Sequence, residues 1–173
     1  MAIIVKGEKF DPAPDGMHPA VCVDVVDMGV IESTYSGKTK QQHKIRLVWE
    51  IAATREDGSQ YLVQKRYTAS LHEKSALYKD LKSWRGRAFT PEELRGFDVE
   101  KLLHVPCTLM LVHEEREGNV YANISAIGRG EKGNELKPSG KYVRVKDRDP
   151  NAGTPDTNGM SEPVDADSDD IPF

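Results

Sequence analysis

The sequence is poor in cysteine and in aromatic residues, it has no long apolar run, and its last 25 residues contain neither lysine nor arginine. Each shortage excludes something. The two cysteines, Cys22 and Cys107, form no CxxC pair, which argues against a disulfide framework and a zinc site; both read as buried thiols in a reducing compartment. No stretch approaches the roughly 20 apolar residues that a membrane helix needs. Residues 1–10 show no long apolar run and no small-residue cleavage site, so no secretory signal is expected.

Catalytic patterns are also missing. The histidines, at 18, 43, 72, 104 and 113, fall at no metal-binding spacing, and there is no P-loop and no GxSxG. Asp24 and Asp27 sit three apart in a β-like stretch, on opposite faces, which is wrong for a shared metal. FDVEKLL at 97–103 superficially resembles a nuclease carboxylate–lysine set, but its Glu and Lys are adjacent. No enzymatic role, metal or cofactor is expected.

What is present is an uneven charge. The net charge of −4 comes from 24 bases and 28 acids. Seven of those acids, Asp149, Asp156, Glu162, Asp165, Asp167, Asp169 and Asp170, lie beyond the last base, so residues 1–148 hold 21 acids and carry +3. A mildly basic body bearing a tail of −7 points towards nucleic acid or a protein partner. The division expected is a folded domain over 1–148 and a disordered acidic tail over 149–173. The tail is built from Pro, Gly, Asn, Ser and Asp and cannot bury enough surface to offset its ordering entropy. Residues 128–146 are broken by Gly128, Gly130, Gly133, Pro138 and Gly140, and KYVRV at their end could add a short edge strand.

The body alternates with period two. HPAVCVDVVDMGVI (18–31) reads as a long Val-rich first strand. HKIRLVWEIAA (43–53) sets Ile45, Leu47, Trp49 and Ile51 on one face against Lys44, Arg46, Val48 and Glu50. Asp57-Gly58 marks a hairpin, and QYLVQKRYTAS (60–70) follows as a third strand. The period then changes. Ser70-x-x-Glu73 reads as a capping box ahead of Leu77, Leu81 and Trp84 at helical spacing, with Gly86 as the stop. Thr90-Pro91-Glu92-Glu93 opens a second short helix. VPCTLMLVH (105–113) and VYANISAI (120–127) are the last two strands, joined by an EEREGN loop.

The order β-β-β-α-β-β is that of the OB-fold, a five-stranded Greek-key barrel whose second and third strands and flanking loops bind oligonucleotides. The candidate DNA-binding residues follow from that placement. The loop between strands one and two, ESTYSGKTKQQHK (32–44), supplies Tyr35, Lys38, Lys40 and Lys44. Arg46 stands beside Lys44 on the outward face, and strand three offers Lys65, Arg66 and Tyr67. Arg85 and Arg87 lie at the helix end, and Tyr121 adjoins the loop between strands four and five. Bases can track phosphates while a ring stacks on a nucleobase at roughly 1–3 kcal/mol. Lysine and arginine on an exposed strand are also ordinary solubilising residues. Trp49 and Trp84 are assigned to the core.

The chain closes on DSDDIPF, an apolar tripeptide behind acidic residues. A flexible leash of about 22 residues reaches roughly 25 Å and can deliver Phe173 to a pocket on another protein. DSDDIPF resembles the acidic tip of bacterial single-stranded-DNA-binding proteins, which ends Asp-Asp-Ile-Pro-Phe. In that family the tip recruits replication, recombination and repair proteins to coated DNA, and the resemblance assigns this partner-binding role to Asp169, Asp170, Ile171, Pro172 and Phe173. The body lacks that family's opening strand motif and its Gly/Gln-rich linker, so its stacking aromatics do not map and its tetramer is not implied. YTASLHEKSALYKDLKSWRGRAFTPEELRGF (67–97) is similar to phage- and prophage-encoded OB-fold DNA-binding proteins.

Together these readings lead to a non-enzymatic protein of the bacterial host cytoplasm. It is expected to coat single-stranded DNA with little sequence preference during phage-type replication and recombination, and to recruit partners through its tail. Its oligomeric state stays open. The alternative is an adaptor that mimics a host tail without binding DNA. A small nuclease is a third reading, which the missing motifs disfavour.

Overall fold

The computed structural model describes residues 12–133 and 135–147. Five strands make up most of it: β1 (Gly16–Tyr35), β2 (Lys38–Thr54), β3 (Gln60–Thr68), β4 (Pro106–Arg116) and β5 (Asn119–Arg129). Between β3 and β4 lie α1 (Ala76–Arg85), α2 (Pro91–Arg95) and a 3-10 turn over Val99–Leu102. The strands form one antiparallel sheet in the order β3-β2-β1-β4-β5.

The alternation expected of β2 is the one observed. Ile45, Leu47, Trp49 and Ile51 are buried in the main core together with Leu77, Leu81 and Trp84 of α1 and Leu109, Leu111, Ile124 and Ile127 of β4 and β5. Trp49 and Trp84 meet at 6.0 Å between ring centroids, and Trp84 Nε1 donates to the carbonyl of Pro106 at 2.9 Å. Both tryptophans are therefore core residues.

Helix α1 begins later than the Ser70–Glu73 spacing suggests. Its N-cap is Ser75, whose hydroxyl accepts from the amide of Tyr78 and donates to the carbonyl of Ser70. Ser70 instead accepts from the amide of His72 in the preceding turn. Gly86 closes the helix at φ 72°, a left-handed conformation that favours glycine. Thr90 and Glu93 form the expected reciprocal capping box of α2, with Pro91 in its first turn.

The sheet is not closed among the described residues. The edge strands β3 and β5 share no ladder, and α1 packs against both of them. Ser83 Oγ donates to the carbonyl of Ile127, and the Arg129 guanidinium donates to the carbonyls of Arg85 and Gly86, so the helix end is tied to β5.

Two connections read as loops are β-ribbons. The β1–β2 ladder continues to Tyr35 opposite Lys38, leaving only Ser36-Gly37 as the turn, at φ 51° and 76°. The β4–β5 ladder continues to Arg116 opposite Asn119, around Glu117-Gly118 at φ 51° and 81°. Two consecutive residues at positive φ make the tight turn whose twist matches paired strands. β4 pairs with β1 only over Gly16–Val21, so the two ribbons leave the sheet at opposite ends.

Candidate nucleic-acid interface

The face of β1, β2 and β3 turned away from the main core is divided in two. Its lower half carries Val21, Val23 and Val48, and it is not open. Residues 135–147 cross it as a strap, packing Leu136 and Tyr142 on those valines together with Leu62. KYVRV is thus a covering segment that ends in a 3-10 turn at Val145–Asp147; it is not the edge strand its sequence suggested. A β-bulge between Cys22 and Asp24 turns Asp24 to this side, where it is 1% exposed. Asp24 accepts from the Tyr142 hydroxyl at 2.8 Å, Arg144 Nε at 3.1 Å and the Val145 amide at 2.9 Å. Arg144 Nη2 also donates to the Val25 carbonyl and to Glu100. Glu50, 4% exposed, accepts from the amide and hydroxyl of Ser139. Two buried carboxylates thus pin the strap, and each is satisfied, as burial of charge requires.

The upper half of the same face starts one residue pair further along. Arg46 is paired directly with Arg66 across β2 and β3, and Val26 lies on the other side of Arg46. Both arginines are half-buried. Their Nε atoms are buried and have no hydrogen-bond partner, and among the described residues neither guanidinium forms an ion pair.

The other expected contacts separate into three groups. Lys38 and Lys40 are exposed on the β1–β2 ribbon, where Tyr35 pairs with Lys38 at the tip. Arg87 is exposed beside α1, with a guanidinium nitrogen 3.6 Å from Glu93. A second group is committed elsewhere. Lys44 lies on the same side as Arg46 but is 3% exposed, and its ammonium donates to Thr68 Oγ1 at 2.6 Å. Tyr67 is 1% exposed; its hydroxyl donates to Asp80, which also pairs with Lys65 at 2.9 Å. Arg85 pairs with Glu93 at 2.6 Å and lies 4.4 Å over the Phe89 ring, within a small Phe89–Phe97 cluster. Lys44 and Tyr67 are thus buried, and Lys65 and Arg85 are half-buried and held by Asp80 and Glu93. The third group, Asp169 to Phe173, lies outside the described residues.

Tyr121 is half-buried on the β4–β5 ribbon, and the Arg116 guanidinium lies 4.6 Å over its ring. Arg116 is a residue the sequence reading missed. Treating Glu117-Gly118 as the whole turn, and not EEREGN as a loop, puts Arg116 and Tyr121 on one face of the ribbon.

At the root of the first ribbon, His43 Nε2 lies 2.6 Å from Asp27. The Gly29 amide, and then this imidazole, hold the Asp27 carboxyl below its ordinary range. Burial drives the Tyr67 phenol well above its ordinary value, with the adjacent Asp80 charge adding to the effect. Among the described residues no group of three or more His, Cys, Asp or Glu side chains is placed to hold a metal, and no helix is long and apolar enough to cross a membrane. The chain matches no protein-family model and no curated protein.

Proposed function

We propose that this protein binds single-stranded DNA along the upper outer face of β2 and β3 and the adjoining β1–β2 ribbon. The observation that carries the reading is the strand order β3-β2-β1-β4-β5, with a helix inserted between β3 and β4 and packed against both edge strands. We read this as an OB-fold whose barrel opens between β3 and β5, the fold that binds oligonucleotides on its second and third strands. Arg46 and Arg66 on that face, with Lys38 and Lys40 on the ribbon, provide a basic track for phosphates. Arg116 and Tyr121 on the opposite ribbon offer a planar surface for a base.

In this reading the protein coats exposed strands with little sequence preference and performs no catalysis. The acidic segment 149–173, with Asp169, Asp170, Ile171, Pro172 and Phe173 at its end, recruits replication, recombination and repair proteins of a bacterial host. Fluorescence anisotropy with labelled oligo(dT), oligo(dA), duplex DNA and RNA tests the binding claim. Both DNA single strands are expected to bind in preference to duplex. Absence of binding to any of the four at low salt would leave the adaptor reading in its place.

A further inference from the structure

We infer that Arg46 and Arg66 together form a clasp for one phosphate group, with the strap as its fixed wall. The inference rests on the reading above for the polymer that supplies the phosphate; the clasp itself follows from the side chains.

Residues directly opposite in an antiparallel pair hold their Cβ atoms about 5 Å apart, and like charges in that relation destabilise the sheet. Arg46 and Arg66 are such a pair. The nearest acids on this face do not relieve them. Asp24, opposite Val48 in the next pair, is saturated by Tyr142, Arg144 and the Val145 amide, and Glu50 is held by Ser139. The Nε atoms are covered by protein, whereas the terminal nitrogens are not among the buried unpartnered atoms. The terminal nitrogens of both guanidiniums therefore keep some exposure to solvent, on side chains that rise from directly opposite residues. A tetrahedral oxyanion fits two such guanidiniums, because its oxygens accept from both and its charge cancels their repulsion.

The strap decides where the clasp opens. It is fastened by two buried carboxylates and by Leu136 and Tyr142, and lifting it would strip Asp24 and Glu50 of their donors. It acts as a wall and not as a lid. A strand crossing the sheet is confined to the Arg46–Arg66 half, and its phosphate meets both arginines together.

Shared and separate phosphates differ in a measurable way. Each phosphate contact on a single strand contributes about −0.7 to the slope of log K against log salt. If one phosphate serves both side chains, either single variant leaves it contacted by the other arginine, so Arg46→Gln and Arg66→Gln should each leave the oligo(dT) slope nearly unchanged, whereas the double variant should make it shallower by about 0.7. A double variant shallower by about 1.4 would overturn the shared clasp. The second arm uses inorganic phosphate and the full chain. Phosphate is expected to raise the melting temperature above that in chloride at equal ionic strength, and the double variant should lose that gain. An equal gain in the double variant would overturn the site. Unfolding is controlled for in the same melts, since relief of repulsion should leave each variant melting at or above wild type. An arginine-dependent phosphate gain without oligo(dT) binding would support the clasp while removing the DNA reading. Oligo(dT) binding with unchanged slopes in all variants would remove the clasp and leave the DNA reading standing.

Discussion

At the scale of single residues, chemistry that looks free in the sequence is often committed to packing. Tyr67 and Lys65 both turn to Asp80. Removing the phenol hydroxyl in Tyr67→Phe deletes a hydrogen bond to a charged acceptor, which costs about 1.5–3 kcal/mol. The variant should show that loss in urea denaturation and keep its oligo(dT) affinity; a tenfold loss of affinity with the fold intact would return Tyr67 to the interface. The two cysteines give a pH dependence. Burial pushes the Cys22 thiol up to about 12 and raises Cys107 as well. In the unfolded chain both ionise near 8.5, so above that pH the unfolded state holds fewer protons than the folded one. Their contribution to stability is complete below about pH 8 and is lost as pH rises through the folded values. The urea midpoint should therefore be lower at about pH 10.5 than at about pH 7.5, and native thiols should resist alkylation at both. Rapid native alkylation would contradict the burial. Tyr67 illustrates the limit of residue-level reading, because QKRYT alternates in a way that leaves its direction undecided until Asp80 of α1 is placed beside it.

At the scale of elements, periodicity and the cap of α2 were legible, whereas the cap of α1, the turns and the coverings were not. The alternation of β2, the Leu77–Leu81–Trp84 stripe and the Thr90 capping box were readable because each is local. The two ribbons were read as loops because Ser36 and Glu117 stand at positive φ where Asn, Asp or Gly is the usual signal. The strap was illegible for another reason. Nothing near Ser139 or Arg144 in the sequence points to Glu50 or Asp24, each about a hundred residues away. The one trace was an aspartate at the centre of VCVDVV, a charge in a strand otherwise fit for burial. Truncation tests this element. A chain ending at Asp147 should keep wild-type stability. A chain ending at Asn134 leaves Asp24 and Glu50 without their strap donors and uncovers Val21, Val23 and Val48, so it should lose about 3–5 kcal/mol in chemical denaturation. Equal stability of the two would mean that the strap is not docked in solution.

At the scale of the whole molecule, charge and topology meet at one place. The strap brings Val145 to Asp24, which sits one residue pair along the face from Arg46, and the −7 segment follows in the sequence from Asp149. Deleting 149–173 should tighten oligo(dT) binding, most at low salt, where screening is weakest; unchanged low-salt affinity would separate the segment from the interface. The number of strands and their order along the chain with the helical interruption followed from the sequence, because each β pattern is local, whereas several sheet topologies suit that order. The openness between β3 and β5 did not, since it depends on how α1 packs. The most direct test of the account is the affinity of the full chain for oligo(dT) across a range of salt concentrations. If Lys38, Lys40 and the arginine clasp meet three phosphates and one further cation meets a fourth, log K should fall with log salt at a slope near −3. No measurable binding at the lowest salt, or binding with no salt dependence, would contradict it.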